Sequence, residues 1–404
     1  MDAIRSALTA KVPFLPLSWL EAFVLVEALR YLVLPLARAL VLPLLQGARA
    51  RVRAGEWAVV TGASDGIGKA YAEALVARGM HVLLIARSKD KLEGVCAELR
   101  KGAGAASVDY HVADFSAPGV YADIGESAWG LPPGAGGQGR RLAAALPARR
   151  LTHTRAHPPH THPHTELKKL KEPIGLLVNN VGMSYPNPLF FNELGALARA
   201  RILPPPGPSL FTLTPPPSSF RPPAAPPLVE PGFLGAMVNI NLLSVVEMTA
   251  LVLPRMLAAK RGAIVNISSA AGNVPSGSPL LALYAATKAG VDVLSRSLHA
   301  ELARTGVHVE CQVPYFVTTK LSKIRDVSLF NVSPDTFVAS SLAALGRRGP
   351  SCVPHWSHAL QDAAMQALPR TWQAGLQTYM HMGLRARAAR KREGGSSGGA
   401  KKSK

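Results

Sequence analysis

The chain has 404 residues, 48% of them hydrophobic, enough for one large α/β domain with a sizeable core. Three scattered cysteines (Cys96, Cys311, Cys352) exclude a disulfide framework or a cysteine metal cage and suit a reducing compartment. The net charge of +20 suggests nucleic acid until its position is read: residues 140–171 carry eight Lys/Arg against Glu166, residues 385–404 carry eight against Glu393, and the first 53 carry seven against Asp2, Glu21 and Glu27. The remainder is nearly neutral at +2, so the excess charge suits a membrane surface, and no nucleic-acid partner is expected.

Leu17–Leu45 is rich in Leu, Val and Ala, but Glu21, Glu27, Arg30 and Arg38 interrupt it. No uncharged run reaches the roughly twenty residues of a clean span. A cleaved signal fits poorly, because the charges lie inside the apolar run and no small-residue cleavage pattern comes after it. The reading is a retained anchor, spanning or interfacial, with Arg49, Arg51 and Arg53 placing the downstream domain on the cytosolic side.

From Glu56 onward strands alternate with helices. Strands are predicted at Trp57–Thr61, His81–Ala86, Ser107–Val112, Ile174–Asn179, Ala263–Ser268 and Val307–Val313. Helices are predicted at Ile67–Arg78, Asp90–Lys101, about Phe233–Ala259 and Tyr284–Thr305. This order predicts an α/β fold with a doubly wound, Rossmann-type parallel sheet. Two low-complexity inserts interrupt it. Residues 125–171 show no apolar period, and residues 199–231 hold twelve of the 34 prolines. They read as surface loops or as retained non-coding sequence, since the junctions read as one continuous enzyme without them. The expected organisation is an anchor over 1–53, a catalytic domain over 54–340 with the two inserts, and a C-terminal extension over 341–404. The histidine run His153–His164 reads as low-complexity filler, because fixed ligand geometry needs a scaffold that it lacks.

Thr61–Gly68 (TGASDGIG) lies between an apolar strand and a helix. Gly62, Gly66 and Gly68 let the backbone turn tightly against a pyrophosphate, and the helix N-terminus supplies N–H groups. Ser64, Asp65 and Ile67 complete the candidate cofactor turn. Arg87 ends the second strand, where an acidic residue would favour NAD; a cation there suits a 2′-phosphate, and Lys91 is one turn on. Asp114 ends the third strand and is a candidate for the adenine edge. Asn180 and Gly182 end the fourth, at the carboxyl side where cofactors bind in such sheets.

Ser269, Tyr284 and Lys288 form the decisive set. Tyr284 and Lys288 are four apart on a predicted helix and share a face. A phenol is a weak acid at neutral pH, and a neighbouring ammonium is expected to lower its pKa. Ser269, preferred over Ser268, comes after the fifth strand and can hydrogen-bond a carbonyl oxygen. Asn241 lies among Leu and Val as either a capped core amide or a helix kink that holds a relay water; the second completes the set.

These residues resemble the short-chain dehydrogenase/reductase family over roughly Trp57–Val317. Within it, WAVVTGASDGIGKAYAEAL, LLVNNVGMSYP, GAIVNISSAAG, YAATKAGVDVLSRSL and VPYFVTTKLSKIR look like the very-long-chain 3-oxoacyl-CoA reductase branch, relatives of 17β-hydroxysteroid dehydrogenase type 12. The resemblance implies that Tyr284 is the general acid, Lys288 assists it and binds the nicotinamide ribose, Ser269 orients the carbonyl and Asn241 holds the relay water. Val317 joins the cofactor contacts. NADPH and a long-chain 3-oxoacyl-CoA are the implied cofactor and substrate, in microsomal fatty-acid elongation. A condensing enzyme, a dehydratase and an enoyl reductase are implied partners, with a homodimer possible. Ser276–Pro279 (SGSP) lengthens the serine–tyrosine gap by about two residues relative to the family, and Pro314-Tyr-Phe replaces the wider family's Pro-Gly. Lys401 and Lys402, four and three from the end, form a dilysine signal implying the endoplasmic reticulum membrane with the catalytic domain facing the cytosol. A 17β-hydroxysteroid or retinoid oxidoreductase on the same scaffold, or an inactive membrane scaffold, are the rival readings.

Overall fold

The computed structural model describes residues 52–117, 120–121, 173–191, 229 and 232–399, with residues 22 and 26 alone from the N-terminal region. The expected anchor segment beyond those two residues, the bulk of both inserts, the histidine run and the dilysine end lie outside the described residues.

Largely apolar runs form the central strands, buried on both faces as a covered parallel sheet requires. The long strands are β1 (Trp57–Thr61), β2 (His81–Ala86), β3 (Val108–Val112), β4 (Ile174–Asn179), β5 (Gly262–Ile267) and β6 (Val307–Gln312). At the edge, β3 (VDYHV) is only partly buried, and β6 (VHVECQ) buries polar residues. The pleat sends Ala58 and Val60 of β1 into one core layer with Tyr71, Leu75 and Leu92. Trp57 and Val59 enter the other with Met248, Val252 and Met256. The connecting helices are α1 (Gly66–Val76), α2 (Lys89–Gly102), α3 (Phe233–Val238), a π-helical turn (Asn239–Leu243), α4 (Ser244–Ala259), α5 (Ala270–Asn273) and α6 (Ala282–Glu301). After β6 come β7 (Phe316–Val317), β8 (Asn331–Val332), α7 (Pro334–Ala344), β9 (Ser351–Cys352), α8 (Trp356–Ala367) and α9 (Arg370–Gly399).

The main sheet has the order β3-β2-β1-β4-β5-β6-β9, all parallel. The strand order reverses between β1 and β4, which opens a crevice at their carboxyl ends. The sheet also runs past residue 340, the expected end of the catalytic domain: Ser351 and Cys352 pair with Cys311 and Gln312. Two residues are too few to show a strand period. What holds the segment is buried Glu310, which accepts from the Gly346 N–H at 2.9 Å and from the Gln312 side-chain amide at 2.7 Å.

The stretch Phe233–Ala259 is, among the described residues, the one helix long and apolar enough to cross a bilayer, with a mean hydropathy of 1.8. Its buried Met248, Val252 and Met256 nevertheless pack in the core layer beside β1 and β2 residues. Its apolar character thus serves the sheet.

Candidate active site

The crevice is built first from β1 and β4. Gly62 and Gly66 of the turn after β1 have φ of +64° and +56°, a region that favours glycine. A Cβ on Gly68 would lie 2.3 Å from the Gly62 carbonyl oxygen and 2.6 Å from the Asn180 side chain, so only hydrogen fits there. Asn180 closes the turn from β4: its amide donates to the carbonyls of Thr61 (3.2 Å) and Gly62 (3.3 Å). The Thr61 hydroxyl accepts from the N–H groups of Asn180 (3.0 Å) and Val181 (3.1 Å). Asn180 therefore shapes the turn from beneath.

Asp65 caps α1, its carboxylate accepting from the Gly66 N–H at 2.8 Å. The Lys320 ammonium, with that backbone bond, holds the carboxyl below its usual range against the opposing effect of partial burial. Sequence reasoning missed Lys320 and Thr319, whose methyl group would lie 3.1 Å from a Cβ on Gly66. Nothing in their spacing shows that the chain after β7 returns across the glycine turn. Ser64 and Ile67 lie half-buried in the turn, Arg87 and Lys91 are exposed beyond the end of β2, and Val317 is buried in β7. Asp114 is engaged locally, accepting from the Ser116 N–H (2.9 Å) and hydroxyl (2.7 Å).

The second half of the crevice comes from β5, α5 and α6. Ser269 caps α5, and its hydroxyl acts on the Tyr284 phenol of α6. Neighbouring Ser268 is buried and donates to the Lys288 carbonyl at 2.7 Å. The pleat decides between them: the two serines point apart, and Ser269 faces the phenol. Lys288 is buried and its Nζ donates to the Ile267 carbonyl at 2.9 Å. A Cβ on Gly182 would lie 3.4 Å from Lys288 Nζ and 3.5 Å from Asn241 Oδ1, so the end of β4 sits between the two side chains.

Asn241 lies in the π-helical turn, and its side chain is a satisfied core amide. Its Oδ1 accepts from the Met183 N–H (2.7 Å), and its Nδ2 donates to the Met183 carbonyl (2.9 Å) and the Thr287 hydroxyl (3.2 Å). With its oxygen and both amide protons engaged, the side chain is committed to tying the segment at Met183 to α6.

One electrostatic expectation is corrected. Burial pushes the Tyr284 phenol above its usual range, and the Ser269 hydroxyl pulls it part of the way back. Lys288 does not set the direction, because its ammonium is itself desolvated: burial holds it down to about 8. Between about 8 and 10.5 the folded chain therefore carries neutral lysine while the unfolded chain stays protonated, and below that window both carry the ammonium. This group therefore makes stability rise with pH between about 8 and 10.5, by about 3 kcal/mol in all. Urea midpoints taken across that window should climb more steeply for the native chain than for Lys288→Met; equal slopes would contradict the assignment.

The substrate side is apolar. Tyr284 clusters with Tyr185, Leu189, Val229 and Met237, and the Tyr185 hydroxyl accepts from the Leu283 N–H at 3.0 Å. The serine turn is held from behind by half-buried Asp362 of α8, which accepts from Asn273 (2.8 Å) and from the Tyr315 hydroxyl (2.7 Å). This explains Tyr315 where the wider family has glycine. It was not legible in the sequence, because the two partners lie 89 and 47 residues from Asp362.

A glycine-rich turn at the switch point and a Ser–Tyr–Lys cluster at the cap of α5 and on α6 define an oxidoreductase of the Rossmann type. The short chain dehydrogenase family model matches residues 56–125 and 231–327. The chain belongs to the short-chain dehydrogenase/reductase family: it is 36% identical over 334 residues to the very-long-chain 3-oxoacyl-CoA reductase of Homo sapiens, covering 83% of this chain and 81% of that protein. A very-long-chain 3-oxoacyl-CoA reductase-like protein of Arabidopsis thaliana is 31% identical over 368 residues, covering 89% of this chain and 91% of that one. Among solved structures, a short-chain dehydrogenase from Sphingobium yanoikuyae in complex with NADPH superposes with a TM-score of 0.50 at 23% identity, over 74% of this chain and 87% of that one. The two proteins share the fold.

Proposed function

We propose that the chain reduces the C3 ketone of a very-long-chain 3-oxoacyl-CoA to the 3-hydroxyacyl-CoA with NADPH. The observation that carries this is the Ser269–Tyr284–Lys288 cluster beside an apolar wall, in a chain whose full-length relatives bear that reductase's name. The family is NAD(P)-dependent, and the residues present fit the cofactor: Gly62 and Gly66 take the positive φ of a tight turn and no side chain fits at Gly68, which leaves bare backbone between the end of β1 and the start of α1. Gly62–Gly68 and Gly182 would hold it, with Arg87 and Lys91 toward a 2′-phosphate and Val317 on the far side. Asp114, with its carboxylate engaged by Ser116, would meet an adenine edge through its second oxygen.

Bound NADPH supplies the hydride that the carbonyl carbon receives. The chain's own residues do the rest. Ser269 donates to the carbonyl oxygen and keeps it against Tyr284. Tyr284 holds its proton firmly at neutral pH, the form an acid needs, and gives it to the oxygen as negative charge develops there. Lys288 stabilises the phenolate that remains, and a solvent proton, carried by a water at the π-helical turn around Asn241, restores the phenol. The wall of Tyr185, Leu189 and Met237 accepts the first carbons of an acyl chain and keeps water from the reacting oxygen.

The anchor reading of residues 17–45 and the dilysine end support a place on the endoplasmic reticulum membrane, catalytic domain toward the cytosol. Elongation partners and a homodimer belong to the same proposal. NADPH consumption measured with a long-chain 3-oxoacyl-CoA and with a 17-ketosteroid tests it. Turnover should be higher with the thioester, and faster ketosteroid turnover would make the steroid reading the correct one. Arg87→Asp should raise the KM for NADPH about tenfold or more and improve NADH, since a charge-assisted contact to the 2′-phosphate is lost. An unchanged NADPH KM would remove Arg87 from the site.

A further inference from the structure

Helix α9 is amphipathic the wrong way round for a soluble domain. Its polar residues Gln373, Gln377 and His381, spaced four apart, are the buried ones. Gln373 accepts from the Ser276 N–H at 3.2 Å and donates to the carbonyls of Met365 (3.1 Å) and Leu368 (2.9 Å). Gln377 meets the Ser278 hydroxyl at 3.1 Å, and His381 Nδ1 lies 2.6 Å from the Pro279 carbonyl. The SGSP segment that lengthens the serine–tyrosine gap is therefore the seat of this helix. The outward stripe is Trp372, Leu376, Tyr379, Met380 and Leu384, with Tyr379 80% and Trp372 68% exposed. Steps of four, three, one and four keep all five on one side.

Charge says what covers this stripe. Between Arg370 and Arg392 the chain has six cations and no acid, five of the cations falling after Leu384. Two of the stripe residues, Trp and Tyr, are the types that favour the boundary between headgroups and acyl chains. Clustered cations beside an apolar face fit an anionic lipid surface better than a neutral protein partner. The Arg385 guanidinium also lies over the Phe190 ring, 5.2 Å from its centre, and the next residue, Phe191, is exposed.

We propose that α9 lies in the headgroup boundary of an anionic phospholipid bilayer, stripe downward, bringing the edge of the site that carries Leu189 and Phe190 to the lipid surface. This attachment is separate from residues 17–45 and does not depend on the reductase reading.

The three native cysteines are buried, so an introduced one can be labelled selectively. The full chain carrying Tyr379→Cys with an environment-sensitive fluorophore is mixed with phosphatidylcholine vesicles containing phosphatidylserine and headgroup-region nitroxide lipid, and the vesicles are floated. The comparison site is exposed Gly94→Cys on α2, which has open space around it. The expected result is a blue shift and strong quenching at position 379, little at 94, and loss of most of the quenching at 379 in Arg387→Glu/Arg390→Glu. A chain that floats with position 379 unquenched overturns this proposal alone, and a chain that does not float overturns the membrane location with it. A blue shift without quenching, or disulfide cross-linking between unlabelled Tyr379→Cys chains, assigns the stripe to a second copy and also overturns it.

Discussion

Tyr284→Phe lowers kcat for the 3-oxoacyl-CoA by about a thousandfold and leaves NADPH binding within a factor of a few. The substitution removes one oxygen. The ring stays in its apolar cluster with Tyr185 and Met237, so the loss of volume is negligible and the chain folds. What disappears is the proton donor that the structure sets beside Ser269. Proton transfer by a positioned group contributes about a hundredfold to ten-thousandfold, and here it also neutralises the developing alkoxide. Cofactor affinity should survive, because the glycine turn and Arg87 lie on other elements. Steady-state rates together with nucleotide fluorescence titration check both halves. A variant that keeps a tenth of the native rate would mean that the proton comes from elsewhere.

Gly272→Ala produces the second large effect, at a residue that touches no reactant. A Cβ there would lie 2.6 Å from the Ala289 nitrogen, 2.7 Å from the Lys288 carbonyl carbon and 2.9 Å from the Lys288 Cβ. Two of these atoms are backbone of α6 and cannot swing away. The short helix α5 must lift off α6, and Ser269 is its cap. Overpacking of this kind costs about 2 kcal/mol, which lowers the thermal midpoint by several degrees. Displacing Ser269 by about 1 Å from Tyr284 costs about a hundredfold in kcat/KM. Gly94→Ala, at an open position on α2, is the comparison and should leave both quantities unchanged or improve stability slightly. Native activity in Gly272→Ala would show that α5 tolerates the shift.

Much of the site is legible in one dimension because its parts are local. The turn at Thr61–Gly68 joins a strand to a helix within eight residues, and the Tyr284–Lys288 pair spans one helical turn. Such features need only a period and a punctuating glycine to be seen. The six long strands are legible for the same reason: four are mostly apolar runs, the other two alternate apolar with polar residues, and their boundaries match the observed ones to within one residue. The two-residue strands β7, β8 and β9 carry no period, and their places depend on partners far along the chain.

The electrostatics needed three dimensions. A lysine four residues from a tyrosine suggests a lowered phenol pKa. Burial of both groups reverses that, raising Tyr284 and holding Lys288 down to about 8. Desolvation depends on what packs around a group, and no spacing rule contains it. The choice between Ser268 and Ser269 rests likewise on which face of the sheet each one meets.

By itself, then, the amino-acid sequence determined the parallel α/β order, the cofactor turn and the Ser–Tyr–Lys set, because hydrophobic period, glycine position and helical spacing are local properties of a chain. Only the tertiary structure decided that Lys320 returns over the glycine turn, that Asp362 braces the serine segment and that the polar side of α9 is its buried side. Each of these depends on residues tens to hundreds of positions apart meeting in a packed interior, where contact and desolvation set the energy and separation along the chain does not.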